Sequence, residues 1–192
     1  MKNKKNIKNM KVIHIFLMLI IVYLLSGYFN NRYYKIYPTL MLYPNNNKEV
    51  REVENYIKTK NNDMHNFIKL TDPGVSYAFA NIVDEDINYL KKITQNIVIY
   101  IRFFKLIFNR ARPFQVNPDL KKYNSISAFS PSFPSGHSAQ AQYLAKCLSI
   151  KYPEKKKELY DLAEKCGLAR IYAGLHYPSD HEFSKFLVSI LP

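Results

Sequence analysis

The stretch Arg170-Ile-Tyr-Ala-Gly-Leu-His176-Tyr-Pro-Ser-Asp180 joins two helical patterns across a Gly and a Pro. Upstream, Leu159, Ala163, Cys166 and Arg170 fall on one stripe at helical spacing, within a helix that starts near Pro153 and runs to about Ala173. Downstream, Ser179-Asp-His-Glu182 reads as a capping box that opens a last helix. Pro178 keeps His176 and Asp180 off one regular helix, so His176 projects from the turn and Asp180 sits in the next helix's first turn. An arginine that continues an apolar face calls for a buried anionic partner. That partner is either a structural carboxylate or a bound phosphate, whose oxygens suit the guanidinium fork.

The rest of the chain follows the same helical grammar. Ala141, Leu144, Ala145 and Leu148 mark an amphipathic helix that starts at Ser135. Asp72-Pro73-Gly74 is a turn. After it, Val75 to about Ile93 reads as one helix with Phe79, Ile82, Ile87 and Leu90 in the core, and Thr94 to Ala111 as the next, ended by Arg112-Pro113. Lys48 to Lys60 reads as a charged, exposed helix, and Phe114 to Phe133 as a long loop. No β alternation, repeat or low-complexity tract stands out. The expected class is all-α, a helical bundle.

Three clusters carry the chemistry. In Lys105-Leu-Ile-Phe-Asn-Arg-Ala-Arg112-Pro113 the two outer cations are expected on one helix face, two turns apart, beside Val98, Ile101 and Phe108. Cations on an apolar stripe are costly unless they snorkel to solvent or meet an anion. Pro134-Ser135-Gly136-His137 ends a loop and opens a helix, where free backbone N–H groups and the helix dipole favour an anion. Gly136 allows close backbone approach, and Ser135 is either a hydroxyl donor or an ordinary N-cap. His176 and Asp180 form a pair in which the carboxylate fixes the imidazole tautomer and leaves the other nitrogen free to attack. His137, His176, Asp180 and His181 could be imagined around a metal, but no metal-ligand spacing is present and three nearby cations oppose it, so none is expected. Cys147 and Cys166 are read as free thiols, with a disulfide as the alternative.

Together these clusters resemble the signature of the type 2 phosphatidic acid phosphatase superfamily, which includes bacterial class A acid phosphatases and vanadium haloperoxidases. The pattern is Lys, six residues, Arg-Pro; then Pro-Ser-Gly-His; then Ser-Arg, five residues, His, three residues, Asp. Order and spacing match over roughly residues 105 to 180, with Ala169 where the family usually has Ser. The resemblance implies the acid phosphatase/haloperoxidase type of helical bundle. It also implies metal-independent phosphomonoester hydrolysis through a phosphohistidine, on a phosphatidate-like lipid or a small phosphate ester. His176 would be the nucleophile, His137 the acid and base, and Asp180 the orienting group. Lys105, Arg112, Ser135, Gly136 and Arg170 would bind phosphate. No cofactor is expected; vanadate would serve only under the haloperoxidase alternative. A non-catalytic, membrane-anchored phosphate binder is the remaining alternative.

The chain has 192 residues, 47% of them hydrophobic, and a net charge of +13. That composition argues against disorder, and the basic residues form no stripe interleaved with stacking aromatics, so nucleic acid is not an expected partner. Val12 to Phe29 is almost wholly apolar and close to the minimum for spanning a bilayer. Lys2, Lys4, Lys5, Lys8 and Lys11 precede it and would hold that end in the cytosol. Residues 1–29 are therefore expected to be a signal anchor, 30–47 a linker, and 48–192 the catalytic domain on the extracytoplasmic side. Cleavage and secretion is the alternative, although Leu24 and Leu25 make a poor cleavage site before Ser26-Gly27. Ile97 to Phe108 is the best further apolar run, but it is too short to span and holds Arg102 and Lys105.

Overall fold

The computed structural model describes residues 42–191, together with the single position Met18. The expected anchor over Val12–Phe29 and its possible cleavage site lie outside the described residues, as does most of the linker. Among the described residues no helix is long and apolar enough to cross a membrane.

Every regular element among the described residues is helical. α1 spans Asn46–Lys58, α2 Asn62–Thr71, α3 Ser76–Phe79, α4 Ile87–Gln95 and α5 Val98–Phe108. α6 spans Pro113–Val116, α7 Gly136–Lys151, α8 Lys156–Tyr172 after a 3₁₀ turn at Pro153–Lys155, and α9 Pro178–Ile190. Short polar side chains fix the starts: Asn61 Oδ1 accepts from Met64 N at 2.8 Å, and Asp86 Oδ1 from Asn88 N at 2.8 Å.

The centre is the α7–α8 hairpin. Leu144, Ala145 and Leu148 meet Leu159, Ala163 and Cys166, and Phe79 of α3, Val83 of the turn after it and Leu90 of α4 close the cluster. Each buried Leu or Phe there contributes about 1.5–3 kcal/mol of burial free energy. α2 packs on α8 through Ile68, Ala169, Ala173 and Leu175, and α9 lies along α7 and α8. Both thiols are free, and burial pushes that of Cys166 up to about 12.

Local sequence reading overran several boundaries. The expected helix over Val75–Ile93 is two pieces, because the chain turns between Phe79 and Asp86, and Val83 rather than Ile82 or Ile87 is buried there. The expected helix over Thr94–Ala111 ends at Phe108, where Asn109 adopts a left-handed conformation with φ 40°. Lys105 and Arg112 therefore do not share a helix face. α1 starts at Asn46 rather than Lys48 and buries Glu49, Val50 and Val53, so it is not simply an exposed helix. The loop after Arg112 contains α6 before it becomes irregular.

Gly174 sets the turn that delivers His176. Its φ is 71°, its N–H donates to Ile171 O at 2.8 Å, and Leu175 N then reaches Arg170 O at 3.1 Å. A Cβ there would meet Ile57 Cδ1 at 3.0 Å and the Lys122 backbone at 3.2 Å. Gly174→Ala is expected to lower unfolding free energy by about 1–2 kcal/mol, read by urea denaturation, because an L side chain resists that φ.

Candidate active site

Each of the three sequence clusters ends at a boundary between elements, and those boundaries meet. Ser132 N donates to Arg110 O at 2.8 Å, joining the end of the long loop to the segment after α5. Ser135 N donates to Asp180 O at 3.2 Å, and Ser184 Oγ reaches Ser135 O at 2.9 Å. The Pro-Ser-Gly-His turn is thus stitched to the first turns of α9.

At the base of the site lies Asp180, fully buried. Its Oδ2 accepts from His176 Nδ1 at 3.1 Å, Ser132 Oγ at 2.5 Å and Tyr177 N at 3.0 Å; its Oδ1 accepts from Arg110 at 2.7 Å. Asp180 itself caps α9 through the Tyr177 N–H, so the expected capping box of Ser179 and Glu182 is not the one that forms. Burial alone would raise the Asp180 carboxyl's pKa. The His176 ring and the Arg110 guanidinium outweigh it and hold the group well below the usual carboxylate range.

This fixes His176. Nδ1–H donates to the carboxylate, which leaves the Nε2 lone pair facing Arg112 NH1 at 3.2 Å. Burial first, then Arg112, pushes the ring's pKa well below its ordinary value, so it stays neutral. Arg112 also donates to Leu175 O and Ser130 O, each at 2.8 Å. Lys105 Nζ donates to Pro131 O and, at 3.4 Å, to Ser132 O. Burial and the neighbouring Arg112 lower the pKa of Lys105, and burial and Arg170 lower that of Arg112.

Arg170 sits on the buried stripe that its spacing implies. Its NH2 donates to Asp72 Oδ1 at 3.0 Å and to Ser125 and Ser127 Oγ, each at 3.2 Å. The structural carboxylate is therefore present. Yet Nε and NH1 of Arg170 are buried with no hydrogen-bond partner. His137 Nε2–H donates to the Thr71 and Asp72 carbonyls at 3.0 and 3.2 Å, leaving Nδ1 for proton exchange. Burial and nearby Arg170 hold the His137 pKa down to about 3, although part of its surface still meets solvent. Ser135 acts as the N-cap of α7: its Oγ accepts from Ser138 N at 3.3 Å and Ser138 Oγ at 2.8 Å. Gly136, the first residue of α7, is only half-buried, and a Cβ there would meet just Ile101 Cγ2, at 3.8 Å. The chain Asp180–His176–Arg112–Arg170–His137 is continuous through hydrogen bonds and mutual electrostatic influence. Ala169 faces the apolar contact with Ile68 and Leu175.

Arg110, Asp72 and Ser132 are site residues that local reading passed over. Arg110 is fully buried, pairs with Glu49 at 2.5 Å and Asp180 at 2.7 Å, and lies under the Tyr177 ring at 3.9 Å and the Tyr43 ring at 4.5 Å. Its partners are 61 and 70 residues away, so no spacing rule reveals them. Asp72 signalled only its turn. His181 bonds Glu164 at 3.0 Å rather than joining His176. Glu164, His181 and Glu182 lie close enough to hold a metal, but Lys185 already reaches Glu182 at 2.7 Å and Glu164 at 3.4 Å.

Arg110→Ala strands Glu49 and Asp180 as buried charges and should cost about 3–5 kcal/mol in a denaturation experiment. Acid should weaken the fold as well. Native His137 and His176 are held neutral, whereas the unfolded chain protonates them near pH 6.5. Stability is full above about pH 6.5 and falls toward pH 3, by about 1.4 kcal/mol per pH unit for each such imidazole. Denaturation midpoints measured across that window check the sign and the slope.

No curated protein matches the chain. The PAP2 superfamily pattern matches residues 70–191, most of the described fold and every residue of the three clusters. The chain belongs to the PAP2 superfamily, whose members are mostly phosphatases.

Proposed function

We propose that this protein is a metal-independent phosphomonoester hydrolase working through a phosphohistidine at Nε2 of His176. The observation that carries this reading is the pair of buried, unpartnered Arg170 donors beside two further buried cations and an imidazole lone pair. Buried N–H groups without acceptors are costly, and phosphoryl oxygens satisfy them. Lys105, Arg112 and Arg170, with the Ser135–Gly136 turn at the α7 N-terminus, hold those oxygens and are worth most as the transition state gathers charge.

Nε2 attacks phosphorus, the P–N bond forms, and the ester P–O bond breaks. The leaving oxygen takes a proton from His137 Nδ1. Water then attacks the phosphohistidine, gives its proton back to that nitrogen, and phosphate departs as the P–N bond breaks. Burial and Arg170 hold His137 neutral; a phosphate dianion among the cations offsets their charge and lets the ring carry its proton. Asp180 keeps Nδ1–H of His176 in place throughout. The substrate is a phosphatidate-like lipid phosphate or a small phosphate ester. An anchor over residues 12–29, as the sequence reads, would hold the domain at the extracytoplasmic face of a membrane.

Hydrolysis of p-nitrophenyl phosphate should proceed with a chelator present and be blocked by vanadate. His176→Ala should lower it by at least about 10³-fold while the circular dichroism spectrum is retained. A folded His176→Ala protein that still turns over at a substantial rate removes His176 as the nucleophile.

A further inference from the structure

α5 is apolar except for Arg102 and Lys105; it packs on α4 and α7 and meets α9 through Phe104 and Phe108 against Phe183. Its inner face is accounted for: Ile101, Lys105 and Phe108 are buried. The outer face is not, with Ile99 62% and Phe103 51% exposed. α9 shows the same asymmetry, with Phe186 56% and Ile190 61% exposed. The two outer faces form one surface. Phe103 touches Phe104 at 5.5 Å between centroids, Phe104 touches Phe183 at 5.3 Å, and Phe183 touches Phe186 at 6.0 Å. A contiguous exposed apolar patch marks an interaction site.

The path of the chain indicates what covers it. The described residues begin at Leu42–Tyr43, and the Tyr43 ring packs against Phe108 at 6.4 Å and Phe133 at 5.9 Å. Phe108 in turn meets Phe104 and Phe183, each at 6.0 Å. The polypeptide that follows the apolar run of residues 12–29 thus joins the domain at the aromatic cluster beneath this patch. With its 11 residues α5 is too short to span a bilayer, and a helix of that length with aromatic and aliphatic outer residues suits the interface plane. Without the five lysines that precede residues 12–29 the chain still carries a net +8, which favours anionic headgroups.

We infer that the outer faces of α5 and α9, centred on Ile99, Phe103, Phe186 and Ile190, seat the domain on a lipid bilayer surface. Lys105 lies on the opposite side of α5 from Phe103, so the site stands about one helix diameter, ~10 Å, from the lipid. The inference adds to the hydrolase reading a second, surface contact with the membrane and locates the site relative to it; the surface itself stands without that reading.

The protein has no tryptophan, so single substitutions report one place each. Full-length Phe103→Trp, Phe186→Trp and Leu70→Trp proteins are reconstituted into phosphatidylcholine–phosphatidylglycerol vesicles whose acyl chains carry bromine. Leu70 is on α2, which packs on α8, whereas α5 packs on α7. Emission at positions 103 and 186 is expected to be quenched several-fold more than at 70. Equal quenching at all three, or none at 103 and 186, overturns the assignment. So does blue-shifted emission at 103 that bromine leaves untouched, the signature of cover by a second copy or by residues 12–29. p-Nitrophenyl phosphate turnover of the unsubstituted protein, measured in the same vesicles, separates the two readings. Quenching without turnover sinks only the hydrolase, and turnover without quenching sinks only the bilayer seat.

Discussion

One buried carboxylate organises this molecule. Asp180 has no access to water, and its two oxygens take four donors from four separate places. One comes from the turn after α8, one from the end of the long loop, one from the backbone that opens α9, and one from the segment after α5. A bare charge in such a place would be intolerable; four donors make it favourable. The geometry of His176 is therefore a by-product of satisfying Asp180, and the histidine's orientation is as rigid as the fold.

Around that carboxylate the charge does not balance. Lys105, Arg112 and Arg170 converge, while Asp180 is already committed to Arg110 and His176, and Asp72 to one edge of Arg170. Protein carbonyls from Ser130, Pro131, Ser132 and Leu175 take up part of the donor capacity. Carbonyl dipoles orient the cations without neutralising them, so their field remains available to an incoming anion. Burial first, and then that same field, depresses the pKa of both imidazoles. A field that would attract an anion is thus also one that helps keep His137 unprotonated.

What could be read locally was legible in the sequence. The stripes of α7 and α8 repeat within single helices, and Pro178 between His176 and Asp180 announced the break that separates them. Arg170 on an apolar face demanded an acid, and Asp72 is that acid; its identity was hidden because it lies 98 residues away. The shared face expected for Lys105 and Arg112 failed at Asn109, since a left-handed residue ends a helix without any hydrophobic signal. α2 carries its own stripe, Met64, Phe67, Ile68 and Thr71, but the stripe is short and set among polar residues, and the local reading passed over it. Arg110 looks like any cation in a basic chain until its distant partners are in view.

The Glu49 pairing sets an order of events. Glu49 accepts from Ser179 N at 3.0 Å across 130 residues, and it shares Arg110 with Asp180. Strand-like local closure cannot make such a link; the chain must bring together its early and late parts, and long-range closure of this kind is slow. During synthesis α1 waits, the Glu49 carboxylate solvated, until α9 leaves the ribosome. The His176–Asp180 pair is consequently among the last features to mature, because a nascent chain lacking α9 lacks the carboxylate that orients the ring.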